Sequence, residues 1–219
     1  MDFLAQVEAR IAAKSLLKHP FYKLWSDGKL TIDDLKIYSK QYHKFVAAFP
    51  RFVAAVYSNC HDAATRRMIL GNLNEEELGD GTPHEELWLE FCQSLGLSRQ
   101  EVLESGMAPE TEQSLKTLDN LSRSGLAEGA AALLAYESQI PDVAKSKLDG
   151  LEKFYGIRGK GLEFFTTHME VDIEHQKVWK AIISKATGKD AAAMQALDKA
   201  LDAQWQLLDG VMLLCKRAC

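Results

Sequence analysis

The sequence predicts an all-α fold, a multi-helical bundle forming one domain over residues 1–219. Three observations predict it. Apolar residues recur at three- and four-residue steps through nearly every segment. Helix-start and helix-stop signals punctuate the chain at short intervals, and no stretch alternates polar and apolar as a half-buried strand would. With 219 residues, 47% hydrophobic and 26% charged, the chain can bury a sizeable core without a second domain.

The elements follow in order. Leu4, Val7 and Ile11 open the chain with helical spacing. Thr31 followed by Asp34, and Ser98 followed by Glu101, resemble capping boxes that start helices. Breaks fall at Pro20, Ser26-Asp-Gly28, Gly79 to Pro83, Gly106 with Pro109, Gly125, Gly156 to Gly161, and Gly188. Short connections between these breaks give about seven to nine helices. Met194, Leu197, Leu201, Trp205, Leu208, Met212 and Cys215 form the stripe of a last helix over 189–217. Two prolines sit within helical pattern. Pro50 follows the segment 31–49, and Pro141 falls in the middle of 127–154, where it is expected to bend a helix and free the carbonyl of Glu137.

Charge and composition narrow the function classes. A net charge of −5, from 26 basic and 31 acidic residues, with no basic cluster, argues against nucleic acid as a partner. No signal peptide opens the chain and no apolar run is long enough to span a bilayer, so no membrane role is expected. The four scattered cysteines then read as reduced thiols in a cytoplasmic protein. Cys215 and Cys219 are spaced as neighbours on one helical face, although a frayed terminus is the simpler reading.

The run His168-Met-Glu-Val-Asp172-Ile-Glu-His175 is the most pointed motif. On a helix advancing about 100° per residue, Asp172 lies about 40° to one side of His168 and His175 about 20° to the other. Two imidazoles and a carboxylate on one narrow face are costly in a core unless a cation binds there. Glu137 lies in the apolar run Ala-Ala-Leu-Leu-Ala-Tyr136-Glu137, and Asn74-Glu-Glu-Glu77-Leu-Gly-Asp-Gly-Thr-Pro-His84 brings carboxylates and a histidine to the two sides of a turn. Glu76, His84, Glu137, His168, Asp172 and His175 together offer three nitrogen and three oxygen donors. Such a set suits two metals in a bundle core, iron or manganese ahead of zinc. Three carboxylates against two divalent ions leave about one excess positive charge, which would welcome anionic oxygen species. His19, His43 and His61 read as ordinary hydrogen-bonded residues.

His19-Pro-Phe-Tyr22-Lys-Leu-Trp25, Ala48-Phe49-Pro50, Asn72-Leu-Asn-Glu-Glu76, Tyr136-Glu137-Ser-Gln-Ile-Pro141 and His168-x3-Asp172-x2-His175 resemble the chlamydial death-domain-associating (CADD) protein family. That family has the haem-oxygenase-like fold and lies near the pyrroloquinoline-quinone synthesis protein C and thiaminase II groups. The likeness runs in matching order over residues 1–185. It implies a dinuclear Fe/Fe or Mn/Fe centre held by Glu76, His84, Glu137, His168, Asp172 and His175. Matching from the Asn-Leu side selects Glu76, while counting back from His84 selects Glu77. The resemblance further implies synthesis of para-aminobenzoate for folate, with dioxygen and an external reductant, by oxidative consumption of Tyr22. Lys147 matches an amino donor and Tyr38 a second tyrosine near the centre, and a homodimer is expected because relatives of this fold often dimerise. Without the resemblance, Tyr38, Tyr42, Phe45 and Phe49 would be a core stripe, and Lys147, among Lys145 and Lys153, a solvated face. Two other readings stand beside this one: an oxidase of the same fold acting on a diffusible small molecule, and a metal-free hydrolase using Cys60 or Cys92 as nucleophile. A protein-interaction module is a fourth class, for which no surface is encoded.

Overall fold

The computed structural model describes residues 3–186 and 190–215, and these hold eleven α-helices and no strand. They are α1 (Phe3–Ala13), α2 (Pro20–Ser26), α3 (Ile32–Ser58), α4 (Ala63–Leu78), α5 (His84–Ser94), α6 (Arg99–Leu103), α7 (Pro109–Ser124), α8 (Leu126–Glu137), α9 (Ile140–Phe154), α10 (Glu163–Lys185) and α11 (Asp190–Leu214). Single 3-10 turns at Leu16–Lys18 and Gly159–Leu162 lead toward α2 and α10. The all-α expectation holds. The helix count exceeds the expected one because the chain also breaks at 59–62 and 138–139, and because α6 stands apart from α5.

Local chemistry explains the helix ends. Thr31 and Asp34 close a capping box on α3, as Ser98 and Glu101 do on α6. The Asp62 side chain accepts from the Thr65 N–H to start α4. Pro141 departs from expectation: it does not bend a long helix but sits in the first turn of α9, four residues after the last residue of α8. A first-turn N–H has no intrahelical partner, so proline costs nothing there, and the chain turns where a kink was expected. Pro50 lies inside α3, which continues to Ser58. The last helix spans Asp190–Leu214, inside the expected 189–217. Cys215 follows it with its thiol near the Asp34 carbonyl, and Cys219 lies outside the described residues.

The core is organised around α8. Every residue of α8 from Ala127 to Glu137 is buried except Glu128, because a helix apolar on all sides must be covered on all sides. α11, α10, α7 and α3 supply the cover. Its small side chains let these neighbours approach closely. A Cβ added to Gly129 would stand 2.7 Å from Val56 Cγ2 and 3.0 Å from the Ser122 carbonyl oxygen. The same economy operates at Gly150 of α9, where a Cβ would meet Trp25 Nε1 at 2.6 Å. Trp25 can therefore lie on α9 and donate to the Lys147 carbonyl at 3.3 Å. Gly129→Val should lower unfolding free energy by about 1–3 kcal/mol through overpacking, read as a shift in the urea midpoint with an unchanged slope.

Candidate metal centre

Four helices converge on one polar cluster inside this core. Glu76 comes from the last turn of α4, His84 is the first residue of α5, and Glu137 is the last of α8. His168, Asp172 and His175 come from a single face of α10. All six are buried, none more than 6% exposed. The α4–α5 turn makes the first pairing. Gly79 caps α4 at φ +48°, and a Cβ there would lie 2.4 Å from the Thr82 carbonyl oxygen, so only glycine fits. The turn folds α5 back until His84 Nδ1 is 2.9 Å from Glu76 Oε2. Glu77, one residue on, is exposed; of the two candidates, Glu76 is the carboxylate that points inward.

The donors sort into two overlapping groups. Glu76, His84 and His168 bring one donor atom each within 4.8 Å of one another, and so do Glu76, Glu137, Asp172 and His175. Glu76 belongs to both. Its Oε2 faces His84, while its Oε1 lies 3.8 Å from His175 Nδ1. His175 Nδ1 is also 3.4 Å from Asp172 Oδ1 and 4.0 Å from Glu137 Oε1, contacts that do not close into hydrogen bonds. The His84 and His168 rings stand 4.4 Å apart.

Whether these residues fit a metal is answered by what they leave unsatisfied. Buried polar atoms are almost always hydrogen-bonded, yet His84 Nε2, Glu137 Oε1, Asp172 Oδ2 and His175 Nδ1 have no partner. Glu137 Oε1 and His175 Nδ1 face each other at 4.0 Å. A buried carboxylate without compensation costs several kcal/mol, so such a set is stabilised either by protons on its carboxylates or by a bound cation. The tautomers agree. His168 Nδ1 lies 2.6 Å from the Phe164 carbonyl, which can only accept, so Nδ1 carries the proton and Nε2 presents a lone pair. Trp179, one turn beyond His175 on α10, donates its indole N–H to Glu137 Oε2 and fixes that carboxylate.

Electrostatics point the same way. Burial, then the neighbouring Asp172 and Glu76 carboxylates, push Glu137 well above its ordinary range. Burial also raises Asp172, to about 6, against the opposing pull of His175. For Glu76 burial acts upward too, but the His84 hydrogen bond and the surrounding imidazoles outweigh it and hold the group below its usual value. Burial, helped by His84, drives His168 down to about 3, a neutral ligand-ready ring. Glu137 and Asp172 are thus poised to exchange a proton for a metal, while Glu76 and His168 stand deprotonated already.

Beside the cluster lies an aromatic layer. Tyr22 of α2 and Tyr38 of α3 bring their hydroxyls within 3.3 Å, and Lys147 of α9 donates to the Tyr38 hydroxyl at 2.6 Å. Lys147 is only 2% exposed, with its ammonium 4.7 Å from the Tyr42 ring centroid and 5.4 Å from that of Tyr22. The solvated-face reading of Lys147 was therefore wrong: the break at 138–139 sets α9 at its own angle and turns this lysine inward, away from Lys145. Among the described residues no carboxylate pairs with it, and burial lowers its pKa to about 7. Tyr42 hydrogen-bonds Tyr136, and burial first, then the charges of nearby Tyr22, Asp172 and Glu76, push its phenol well above the ordinary value. The layer and the cluster adjoin. Sequence reading missed Trp179, Tyr136 and the Tyr42 link, although each sits one turn from, or beside, a residue it did select. His19 and His43 are ordinary partners of Asp209 and Glu85, and His61 is exposed. Burial pushes the Cys92 thiol up to about 12, the wrong direction for a nucleophile.

A family model described as iron-containing redox enzyme matches residues 36–205. The chain belongs to that family. It is 38% identical to the 4-aminobenzoate synthase of Nitrosomonas europaea, over 95% of this chain and 90% of that one. It is 35% identical to the 4-aminobenzoate synthase of Chlamydia pneumoniae, over 94% and 93%. The solved structure of a CADD-like protein of unknown function from Nostoc punctiforme superposes with a TM-score of 0.81 at 18% identity, covering 97% of this chain and 96% of that one. The haem-oxygenase-like fold and the family resemblance read from the motifs are thereby established. No helix among the described residues is long and apolar enough to cross a membrane. Trp179→Phe should weaken metal binding about 10–100-fold by releasing Glu137, measured by equilibrium titration of the apo protein with Mn(II).

Proposed function

We propose that this chain makes para-aminobenzoate from its own Tyr22, using a dinuclear centre of iron, or of manganese and iron, with dioxygen and an external reductant. The observation that carries the reading is the buried Tyr22–Tyr38–Lys147 chain of hydrogen bonds beside the carboxylate–imidazole cluster. The relatives, which are 4-aminobenzoate synthases, support it.

Glu76, His84 and His168 would hold one ion and Glu137, Asp172 and His175 the other, with Glu76 between them. When bound, such ions supply the redox steps with dioxygen that side chains lack. The chain's own residues do the rest. A tyrosine side chain already carries a benzene ring with oxygen and carbon para to one another. Its Cβ would become the carboxylate by oxidation with oxygen from dioxygen as the Cα–Cβ bond is cut. An amine would replace the phenol oxygen, which leaves as water, and oxidation of the donor lysine's Cε–N bond to an aldehyde would free the nitrogen. Nitrogen must then come from close by, and Lys147 is the amine within two hydrogen bonds of that oxygen. Burial without a counter-charge leaves a large share of Lys147 neutral near pH 7, with its lone pair free. Tyr38 holds the lysine and the Tyr22 phenol in register. The Tyr42–Tyr136 pair, joined by a hydrogen bond, would wall the small space beside the Tyr22 ring. Because Tyr22 is spent, each chain yields at most one product molecule.

A diffusible fatty acid or quinone precursor fits less well. The cavity touching Tyr22, Tyr42 and Tyr136 has about 20 Å³, room for one small molecule such as water or dioxygen, whereas drug-sized ligands need several hundred Å³.

Tyr22→Phe should abolish para-aminobenzoate while leaving two metal ions per chain, measured by mass spectrometry of released product and by elemental analysis; product from that variant overturns the role of Tyr22. Yield per chain should rise with pH through about 7 and level off above it, since Lys147 is protonated and without a lone pair below that value. Lys147→Met should leave no product at any pH.

A further inference from the structure

The metal cluster is sealed from solvent on most sides, so ions need a route to it. A surface cleft of about 330 Å³ opens over the α4–α5 turn and the start of α10. Glu75, Asp80, Glu163 and Glu170 line it, and no lysine or arginine does. Two comparable clefts mix signs: Lys180 stands with Glu8 and Asp142 in one, and Lys145 and Lys153 with Asp142 and Asp149 in the other. His84 lines the acidic cleft and is 1% exposed. Its Nε2 has no hydrogen-bond partner and lies 3.8 Å from Glu75 Oε1, while Nδ1 of the same ring faces Glu76. One imidazole thus touches the cleft with one nitrogen and the cluster with the other.

We infer that this acidic cleft is the loading port through which divalent metal ions reach the centre, with Glu75 receiving them at the inner end beside His84. The inference rests on the metal centre proposed above. Carboxylates of one sign around a low-dielectric cleft concentrate cations and speed their capture. A carboxylate beside an unpartnered imidazole nitrogen gives an ion shedding its waters oxygen and nitrogen donors in turn. The arrangement acts on the rate of filling and leaves the final affinity to the six buried donors. Glu77, exposed on the same helix and absent from the lining, has no part in it.

The test is the rate of Mn(II) uptake by the anaerobic apo protein, followed by loss of the free-ion electron paramagnetic resonance signal. Asp80→Asn, Glu163→Gln and Glu170→Gln are combined and also made singly, and Glu75→Gln and Glu77→Gln are made separately. The triple variant should load roughly tenfold more slowly at low ionic strength. The difference should shrink at about 0.3 M salt, where screening is strong, and the final metal content should match the unaltered chain. Glu75→Gln should also slow loading, and Glu77→Gln should load normally. Normal loading by the triple variant and by the three single variants overturns the port, as does equal slowing by Glu77→Gln, which would be a mere net-charge effect. If the unaltered chain takes up two ions and only the rates disobey, the port alone is wrong. If it takes up none, the centre and the port fall together.

Discussion

The fold is arranged around one electrostatic difficulty, the withdrawal of three carboxylates and three imidazoles from water at the meeting of four helices. Nothing apolar can compensate that desolvation. The chain spends its local devices on aiming these groups at each other: a glycine turn that folds α5 onto α4, a helix that stops at Glu137, and a three-residue stripe on α10. Trp179 and the Phe164 carbonyl then fix the outer atoms of Glu137 and His168. Glu137 Oε1 and His175 Nδ1 stay unpaired toward each other while His84 Nε2 stays unpaired toward the cleft, and on the proposed reading this unmet bonding is what would make the cluster a receptor for cations.

The aromatic layer answers a different need. A lysine with no counter-charge is tolerated in a core only if its neighbours are polarisable or can accept its hydrogens. Lys147 is ringed by tyrosine, tryptophan and phenylalanine faces and holds one phenol oxygen. Those contacts keep the amine dry and weakly basic. They also tie α9 to α2 and α3, so the reactive amine and the tyrosines form one packing unit.

Much of this was legible in the residues. Helical spacing and capping boxes marked the fold, and the His168–Asp172–His175 stripe marked a cation site because three such groups share a face in any helix. Tyr22, Tyr38 and Lys147 were legible only through family resemblance, since spacing alone made them core or surface. The misreading at Pro141 shows why. A proline in the first turn and a proline in mid-helix look alike in sequence, and the difference depends on whether α8 can end at Glu137, a matter of tertiary packing. Trp179 escaped notice because a tryptophan on a core stripe is ordinary until its N–H is seen to have a carboxylate opposite. Glu75 escaped because three consecutive glutamates are told apart only by the direction each one takes.

The depth at which Tyr22 lies has its own consequence. Its ring is 2% exposed and packs among Phe21, Trp25 and Tyr38. On the proposed reading, surrender of that ring is a large-to-small change in the core, of a kind that costs about 3–5 kcal/mol against a typical total of about 5–15 kcal/mol. A chain that had reacted would carry a void beside a helix that had given up its buried amine and stand near its melting threshold, ready for proteolysis and return of its amino acids and metals. Synthesis and disposal would then be two effects of a single buried side chain.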